Sequence, residues 1–433
     1  MSISGATYVL RRLEQVVTFA DGPIGGRVTV DHLGIREHAA VVVHRGRIAW
    51  IGPDTDIPAE WAQKPTVEID LRGHIALPGL IDPHTHLVYG GDRLQDWLER
   101  LRGRSYAEIA ARGGGIVRTV RDTRAMPEDD LLQLLEHRLD RLFAFGVTTV
   151  EIKTGYGLDA ETELRLLRCL QRIQDIHPMT VIPTFLGAHA IPPDMDRTAY
   201  IDMLAAQLIP VVAQHRLALT MDVFCDAGYF TPEETLFLLE IARQHGFTGF
   251  HLHVDEFSHT GLLEAIDNWK HIYSVDHLNH MDGRMAAVLA EQGAAAVLSP
   301  ATALHLQLPR PPISALLDAG VHLAFASDHN PGTNPVLNPW YTLWVACVHW
   351  GLPLEQVLAG MTVEAAYSLR IHGQTGRLSP RMRADMVIVD VPHYGYILYQ
   401  WDTLPIRWVW KNGRPYRIRE QAEIHFTWMA LEE

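Results

Sequence analysis

The chain is poor in cysteine and in basic residues and lacks long apolar segments, and each shortage excludes a class of protein. It has three cysteines in 433 residues and no C-x-x-C pair, so a disulfide framework is excluded and a reducing compartment is expected. No stretch approaches the roughly 18 apolar residues of a membrane span, and the N-terminus lacks the apolar core of a signal peptide. We therefore expect a cytoplasmic protein without a membrane partner.

The charge balance bears on the kind of ligand. With 37 basic and 51 acidic residues, the net charge is -14, whereas a nucleic-acid partner demands a basic face. A small anion remains compatible, because one buried arginine can bind it locally. The glycine-rich loops of nucleotide-binding proteins are also missing after the predicted strands. We expect a small-molecule ligand and neither nucleic acid nor a nucleotide cofactor.

Histidine, in contrast, is abundant. Many of the 24 histidines lie in or just after apolar runs, where a polar ring needs a hydrogen-bond partner or a metal ion. Around them, short β-branched runs alternate with amphipathic helical patterns. The predicted strands lie near residues 75–81, 147–152, 181–185, 219–223, 249–254, 273–276, 295–298 and 323–326. This alternation predicts an α/β fold, a parallel (β/α)8 barrel of the TIM type.

Both ends of the chain differ from this middle. Residues 39–52 form two extended patterns around a turn, and residues 408–413 predict a hairpin closed by an Asn-Gly pair. We therefore predict two domains. One combines residues 1–77 with 375–433 and is β-rich, and the barrel spans residues 78–374.

Almost every predicted barrel strand turns polar at the same end, where barrels of this kind carry their chemistry. His84 and His86 lie two apart after strand one, so both rings point to one face and can bind one metal ion, unless they are hydrogen-bonded core histidines. His253 and Asp328 are the third and fourth predicted ligands, although His251 shares a face with His253 and Asp328 could instead cap a helix. Imidazole plus carboxylate suits Zn(II), and also Fe or Mn.

Other residues at these ends suggest binding and catalysis. His277 is predicted to be catalytic and not a ligand, the alternative being a hydrogen bond to a nearby loop. Arg93 could clamp a substrate carboxylate or form a surface salt bridge. Gly332 and Thr333 could donate hydrogen bonds to an anion or form an ordinary turn. His280 is expected to be structural or solvated.

With these residues in view, the chain resembles the amidohydrolase superfamily, and within it the imidazolonepropionase family, from about residue 39 to residue 416. The H-x-H segment marks only the superfamily. The Gly-Tyr-Gly and Asn-Pro-Gly segments, in order and at family-like spacing, point to the narrower family. The segments that carry the resemblance are 78–86 (PGLIDPHTH), 90–93 (GGDR), 113–117 (GGGIV), 153–158 (KTGYGL), 185–189 (FLGAH), 253–257 (HVDEF) and 328–332 (DHNPG).

The resemblance implies a barrel with a small β-sandwich built from both chain ends, and one ion of Zn or Fe held by His84, His86, His253 and Asp328. It implies hydrolysis of a cyclic amide C–N bond, that of 4-imidazolone-5-propanoate, which yields N-formimidoyl-L-glutamate in histidine degradation. It further implies a homodimer. The residues it places around the substrate are Arg93, Tyr106, Tyr156, His189, Glu256, Asn330, Gly332 and Thr333.

We expect the following roles in such a reaction. The metal ion lowers the pKa of a bound water, and Asp328 moves a proton from that water to the leaving ring nitrogen. His277 polarises the carbonyl oxygen as charge develops on it. Glu256 and His189 orient the ring, and Arg93 holds the propionate.

Three departures from the family pattern are expected to lie around the pocket. The family usually has Phe where this chain has His329 and Glu where it has Asn279, and residues 300–312 lack the usual pattern. A sister enzyme for hydantoin or thiohydantoin propionate, or another heterocycle deaminase, is therefore an alternative.

Two further alternatives concern turnover and the number of ions. A barrel that binds a ligand without turnover is disfavoured by the metal set and by His277. A two-metal hydrolase would need a carboxylated lysine from a middle strand. Lys153 follows strand two and no lysine is well placed at strand four, so we expect one ion per chain.

Overall fold

The computed structural model describes residues 7–62, 66–104, 108–109 and 112–418. Tyr106, predicted to contact substrate, lies outside the described residues. The strands are β1 Thr7–Val16, β2 Arg36–His44, β3 Arg47–Pro53, β4 Thr66–Asp70, β5 Ile75–Pro78, β6 Leu80–Asp82, β7 Val147–Lys153, β8 Thr180–Ala188, β9 Thr220–Cys225, β10 Gly249–Val254, β11 Ile272–His277, β12 Ala295–Leu298, β13 Leu323–Phe325, β14 Met386–Val389, β15 Ile406–Lys411 and β16 Arg414–Arg417.

Helices fill most of the intervals between the strands. The α-helices are α1 Ala59–Ala62, α2 Leu94–Leu101, α3 Ile116–Ala125, α4 Glu128–Ala144, α5 Ala160–Ile176, α6 Arg197–Met203, α7 Ile209–Gln214, α8 Pro232–His245, α9 Leu262–Ala265, α10 Met285–Gln292, α11 Pro300–Leu306, α12 Ile313–Asp318, α13 Pro339–Val348, α14 Leu354–Gly360, α15 Val363–Ser368 and α16 Tyr396–Tyr399. None of the helices described is long and apolar enough to cross a bilayer.

Strands β6 to β13 form one parallel sheet in chain order, as predicted for a TIM barrel. Just beyond β6 and β13, the amide of Asp328 donates to the carbonyl of His84 at 3.0 Å, and the amide of His86 donates to the carbonyl of His329 at 2.9 Å. These two bonds bring the edges of the sheet together. The C-terminal ends of all eight strands therefore face one mouth, and the predicted barrel is confirmed.

The first predicted strand, residues 75–81, differs from the structure because it consists of two strands. β5 belongs to the terminal sheet and β6 to the barrel, with Gly79 between them. A Cβ at Gly79 would lie 2.3 Å from the side chain of Thr148, so the crossing point between the sheets tolerates only glycine. The other strands are close to their predicted positions, and β10 and β12 match them residue for residue.

Helix α8 shows why these intervals are helical. The Thr231 hydroxyl accepts from the Glu234 amide, the Glu234 carboxylate accepts from the Thr231 amide, and Pro232 occupies the first turn. Gly246 ends the helix in the left-handed region with φ 99°. This capping box and glycine terminus satisfy the end groups of the helix and hold the loops at fixed places around the barrel.

The two chain ends together form a second, mostly antiparallel sheet in the order β16-β15-β14-β5-β1-β2-β3, with β4 beside β1. It has its own apolar core, which includes Leu10, Val41 and Trp410. The predicted hairpin joins β15 to β16, with φ 50° at Asn412 and 73° at Gly413, as an Asn-Gly turn requires.

Candidate active site

Four side chains that commonly bind metal ions meet at the mouth of the barrel. His84 and His86 follow β6, His253 is near the end of β10 and Asp328 follows β13, and all four are buried. The His86 Nε2 atom lies 3.3 Å from His253 Nε2 and 3.5 Å from Asp328 Oδ1, and His84 Nε2 lies 3.7 Å from the same oxygen. Donors of a tetrahedral ion with bonds of about 2.1 Å lie roughly 3.4 Å apart. The spacing therefore fits ligands of one ion.

Two of these rings are oriented by carboxylates behind them. Asp276 Oδ2 accepts from His84 Nδ1 at 2.6 Å, and Asp222 Oδ2 accepts from His253 Nδ1 at 2.9 Å. With the proton on Nδ1, the lone pair on each Nε2 points into the cluster. Among the described residues His84 Nε2 has no hydrogen-bond partner. Because burial lowers the pKa of both imidazoles, they are neutral, which is the state that binds a metal ion.

His277 and Glu256 border this cluster. The His277 ring centroid lies 5.0 Å from that of His253, and its Nε2 has no partner among the residues the structure describes. Its ligand atom also falls within 4.8 Å of those of His84 and His253, so the geometry alone would permit it to bind the ion. His277 Nδ1 lies 3.9 Å from Glu256 Oε1, and burial raises the pKa of Glu256 well above its usual range.

The backbone is strained at this mouth. His277 has φ 75° and Asp328 has φ 49°, in the left-handed region that a residue other than glycine rarely adopts. The Asp328 carboxylate is also held by its surroundings, since Oδ2 accepts from the Thr302 hydroxyl at 2.7 Å while burial raises its pKa to about 7. Strain of this kind is typical of functional sites, where the surrounding structure fixes a side chain's direction.

His251 lies outside the ligand group, although it is two residues from His253. Its Nδ1 lies 2.8 Å from the hydroxyl of Ser274, and burial lowers its pKa to about 3. His280 is half-buried, and its backbone amide donates to the carbonyl of Asp255 at 2.8 Å. Both histidines have structural contacts, so His253 and not His251 is the histidine of β10 that belongs to the cluster.

A cavity opens over the cluster and has Arg93 in its wall. The Arg93 side chain is buried and its Nε donates to the Thr119 hydroxyl at 2.8 Å. Within the described part of the chain it has no ion pair with a carboxylate, so the surface salt bridge considered above is not what holds it. A Cβ at Gly332 would lie 2.1 Å from Arg93 Nη1, and a side chain there would displace the guanidinium.

His189 and Tyr156, both expected around the substrate, lie in the same wall. His189 Nδ1 lies 3.0 Å from the carbonyl of Gly155, and its ring stacks on His86 at 5.1 Å. Burial lowers the pKa of His189 to about 3. The Tyr156 ring lies 6.0 Å from the Arg93 guanidinium carbon. The two rings therefore lie between the four candidate metal ligands and Arg93.

The loop after Asp328 forms a turn, which was the alternative given for Gly332 and Thr333. Asn330 Oδ1 accepts from the amides of Gly332 at 2.9 Å and Thr333 at 2.7 Å, and Asn330 Nδ2 donates to the Thr333 hydroxyl at 2.6 Å. The two amides predicted as anion donors are thus already used within the turn. Asn330 and Thr333 still line the cavity, while Gly332 makes room for Arg93.

Comparison with known proteins identifies the family. Residues 111–416 match the amidohydrolase family. The chain belongs to this family. It is 41% identical over 401 residues to the imidazolonepropionase of Rubrobacter xylanophilus, covering 92% of this chain and 95% of that protein. It is 37% identical over 411 residues to the imidazolonepropionase of Geobacillus kaustophilus, covering 94% and 96%. These relatives place the chain in the imidazolonepropionase branch of the amidohydrolases.

Solved structures share the fold of this amidohydrolase. Guanine deaminase of E. coli matches with a TM-score of 0.71 at 15% identity, covering 95% of this chain and 99% of that one. An atrazine chlorohydrolase of Arthrobacter aurescens, a mutant complexed with zinc and atraton, matches with a TM-score of 0.67 at 18% identity, covering 96% and 97%. The likeness extends over the barrel and the terminal sheet alike.

The three departures of this amidohydrolase from the family pattern are not in the described wall of the cavity. His329 Nε2 lies 3.2 Å from the Tyr89 hydroxyl, and Asn279 donates to the carbonyl of Pro309 at 2.8 Å. Thr302, in the third segment, holds Asp328 from behind. His329, Asn279 and Thr302 are therefore not among the residues that line the cavity, and the expected effect of these departures on the substrate stays a prediction.

Sequence reasoning missed an aromatic part of the wall and a charged layer beneath the cluster. Phe224, Tyr229 and Phe257 line the cavity, with the rings of Phe224 and Tyr229 4.0 Å apart. Asp222, which holds His253, lies on β9, which had no predicted role. A carboxylate inside the apolar strand 219–223 was the available signal, since a buried charge needs a partner.

Proposed function

We propose that this amidohydrolase hydrolyses the ring amide of 4-imidazolone-5-propanoate and releases N-formimidoyl-L-glutamate. One observation carries the proposal: a buried arginine without a carboxylate partner among the described residues shares a cavity with His86, His253 and Asp328, which lie at ligand spacing with His84 behind them. A ring with a propionate tail matches both ends of that cavity. The two imidazolonepropionases at 41% and 37% identity support the same substrate.

The donor set supports one ion of Zn or Fe per chain, held by His84, His86, His253 and Asp328. When bound, such an ion lowers the pKa of water and polarises a carbonyl group. The ammonium of Lys153 lies 2.9 Å from carboxylate oxygens of both Glu151 and Asp222. It is thereby engaged in ion pairs, which argues against a carboxylated lysine that would bridge a second ion.

Asp328 and His277 are the groups placed to move and hold protons. The Thr302 hydroxyl holds Oδ2 of Asp328, so that Oδ1 faces the cluster. There, Oδ1 can accept a proton from water and pass it to the leaving nitrogen. Burial lowers the pKa of His277, so its ring is neutral. A neutral ring whose Nε2 has no partner among the described residues can donate a hydrogen bond to the carbonyl oxygen as negative charge develops there.

The remaining wall residues orient the substrate and exclude water. Arg93 can bind the propionate in a bidentate manner, and Thr119 fixes the direction of its guanidinium. Glu256 and His189 border the space between that guanidinium and the cluster and can hydrogen-bond to the ring. The aromatic rings of the wall limit access of bulk water to the reacting bond.

The expected compartment and oligomer accompany this proposal. Cys169, Cys225 and Cys347 are all free thiols, which supports a cytoplasmic location. The homodimer implied by the family resemblance stays a prediction that light scattering would test.

The direct test is turnover of freshly generated 4-imidazolone-5-propanoate, followed by the loss of its ultraviolet absorbance and by detection of formimidoylglutamate. Hydantoin and thiohydantoin propionates serve as competing rings. We expect the imidazolone to be hydrolysed fastest by the metal-loaded protein. Turnover of a hydantoin ring together with no turnover of the imidazolone would replace the proposed substrate.

A further inference from the structure

Beneath the cluster, a lysine that the proposed reaction does not use lies among three carboxylates. Lys153 ends β7, and its side chain is completely buried. Its Nζ lies 2.9 Å from Glu151 Oε1, 2.9 Å from Asp222 Oδ2 and 3.7 Å from Asp276 Oδ2. All three carboxylates are completely buried as well. A single ammonium therefore faces three acidic groups in the interior of the barrel.

Two of these carboxylates are those that orient the cluster. Asp222 Oδ2, in contact with Lys153, also accepts from His253 Nδ1, and its Oδ1 accepts from the His253 amide at 3.1 Å. Asp276 Oδ2 accepts from His84 Nδ1, while its Oδ1 accepts from the Ser274 hydroxyl at 2.5 Å. Lys153 is thus connected to the His253 ring through Asp222 and to the His84 ring through Asp276.

The ammonium of Lys153 balances the negative charge of the carboxylates around it. Buried carboxylates are costly unless they are paired, and the Lys153 ammonium is the cation that lies within 4 Å of all three. Burial alone would lower the pKa of Lys153, but the carboxylates of Asp222, Glu151 and Asp276 raise it, so the lysine keeps its charge.

We propose that Lys153 is a positioning residue of the metal site: its ammonium bridges Asp222 and Asp276 and thereby holds the Nε2 atoms of His253 and His84 toward the ion. The inference rests on the metal site of the proposed function and deepens it. Lys153 acts through the two carboxylates and touches neither ion nor substrate. Outer partners of metal ligands typically contribute about 10-fold to 100-fold in metal affinity.

The chain offers a matched control in its terminal sheet. Lys411 is also buried, and its Nζ lies 2.7 Å from Asp385 Oδ2. Asp385 accepts in addition from the Thr375 hydroxyl at 3.2 Å and from the Asn412 amide at 2.7 Å, and none of its side-chain hydrogen bonds in the described part of the chain is with a cluster residue. Replacing either lysine by methionine therefore breaks a buried ion pair, but only Lys153 is linked to the imidazoles.

The experiment measures Zn(II) affinity of the metal-free full-length protein by competition with a chromogenic chelator, for wild type, Lys153→Met and Lys411→Met. Thermal unfolding is recorded with and without Zn(II). We expect Lys153→Met to bind Zn(II) about 10-fold to 100-fold more weakly and to lose much of the Zn(II)-dependent rise in Tm. Lys411→Met should unfold at a lower temperature yet bind Zn(II) within about twofold of wild type.

Zn(II) affinity of Lys153→Met within twofold of wild type would overturn the inference. Should that variant not fold, Asp276→Asn replaces one carboxylate at nearly the same volume; at least tenfold weaker Zn(II) binding is expected, and unchanged binding would overturn the inference equally. Failure of the wild type to bind Zn(II) would instead contradict the metal site of the proposed function, and the inference with it. The two failures are therefore distinguishable.

Discussion

In the terminal sheet, the buried Asp385 accepts hydrogen bonds from Lys411, Thr375 and the Asn412 amide, whereas buried nitrogens of His84 and His277 at the barrel mouth have no partner among the described residues. Leaving such a group unpaired costs about 1–3 kcal/mol. Asp385 is therefore fully engaged within the sheet and contributes to its stability, although the Trp410 Nε1 in the same sheet has no partner among the described residues. At the mouth, the unpaired atoms converge on one point, and we interpret them as groups whose partner is a ligand.

The arginines of the two regions differ in the same way. Arg11 in the terminal sheet has a carboxylate partner, Asp54, at 2.7 Å. Arg93 at the mouth is less exposed and has no ion pair with a carboxylate in the part of the chain that the structure describes. Substitutions at the mouth should therefore change turnover with little change in stability, and substitutions in the sheet the reverse.

The largest effect on turnover is expected for His277→Ala. Loss of one preorganised donor to a developing oxyanion costs roughly 100-fold to 1000-fold in kcat. Metal content should stay at the wild-type value, because His84, His86, His253 and Asp328 are unchanged. Steady-state kinetics with metal analysis would check this. A near-normal kcat with metal retained would contradict the role of His277, and loss of the metal would identify it as a ligand.

Arg93→Met should have the next largest effect. Charge-assisted hydrogen bonds of about 1.5–3 kcal/mol would be lost, which corresponds to roughly 10-fold to 100-fold in kcat/KM. The methionine side chain is apolar and of similar length to that of arginine, so Tm should change little. A substrate analogue whose carboxylate is replaced by an amide serves as the control. Wild type and variant should turn over that analogue equally, and a persistent difference would contradict the carboxylate clamp.

A smaller effect is expected for Gly332→Ala. Its Cβ would meet Arg93 Nη1 at 2.1 Å and move the guanidinium without removing it. Displacement of a positioning group by a fraction of an ångström should cost on the order of tenfold, mainly in KM. Gly283→Ala is the matched control, because its Cβ would have ordinary contacts of 3.5 Å or more. Equal KM values for the two variants would contradict the packing of Arg93 on Gly332.

Lys411→Met should leave turnover unchanged and lower stability. Removing one partner of a buried ion pair costs about 3–5 kcal/mol, since Asp385 would be left buried without its cation. Chemical denaturation of the metal-free protein would measure the loss, and kcat/KM should stay within about twofold of the wild-type value. A large fall in kcat/KM at full metal content would show that the two regions are not independent.

The parts of this fold that follow from local pattern were predictable. Strands β10 and β12 matched residue for residue, because β10 alternates apolar residues with histidine between Thr248 and Asp255, and β12 is a short apolar run between Gly293 and Ser299. β1 was not predicted, because a bulge between Leu10 and Leu13 places two consecutive arginines in the strand and interrupts its alternation. The split of residues 75–81 between two sheets also needs tertiary information, namely the approach of Thr148 to Gly79.

The candidate site divides in the same way. The positions of His84, His86, His253 and Asp328 follow from their places at strand ends, and the structure brings them together. The positions of the carboxylates behind these ligands depend on which strands are neighbours and on their register. On β9 and β10, for example, His253 pairs with Phe224, and Asp222 lies two residues before Phe224 on the same strand. Side-chain contacts decide the rest, since His329 adjoins Asp328 in sequence but contacts Tyr89 and is not among the residues that line the cavity.

Metal titration tests the central claim most directly. Metal-free protein would be reconstituted with increasing Zn(II), or Fe(II) without oxygen, and hydrolysis of 4-imidazolone-5-propanoate measured at each point, with His84→Ala as the control. The account predicts no turnover without metal, a linear rise that ends near one equivalent per chain, and no rise in the control. Full turnover by the metal-free protein, or a rise that continues to two equivalents, would contradict it.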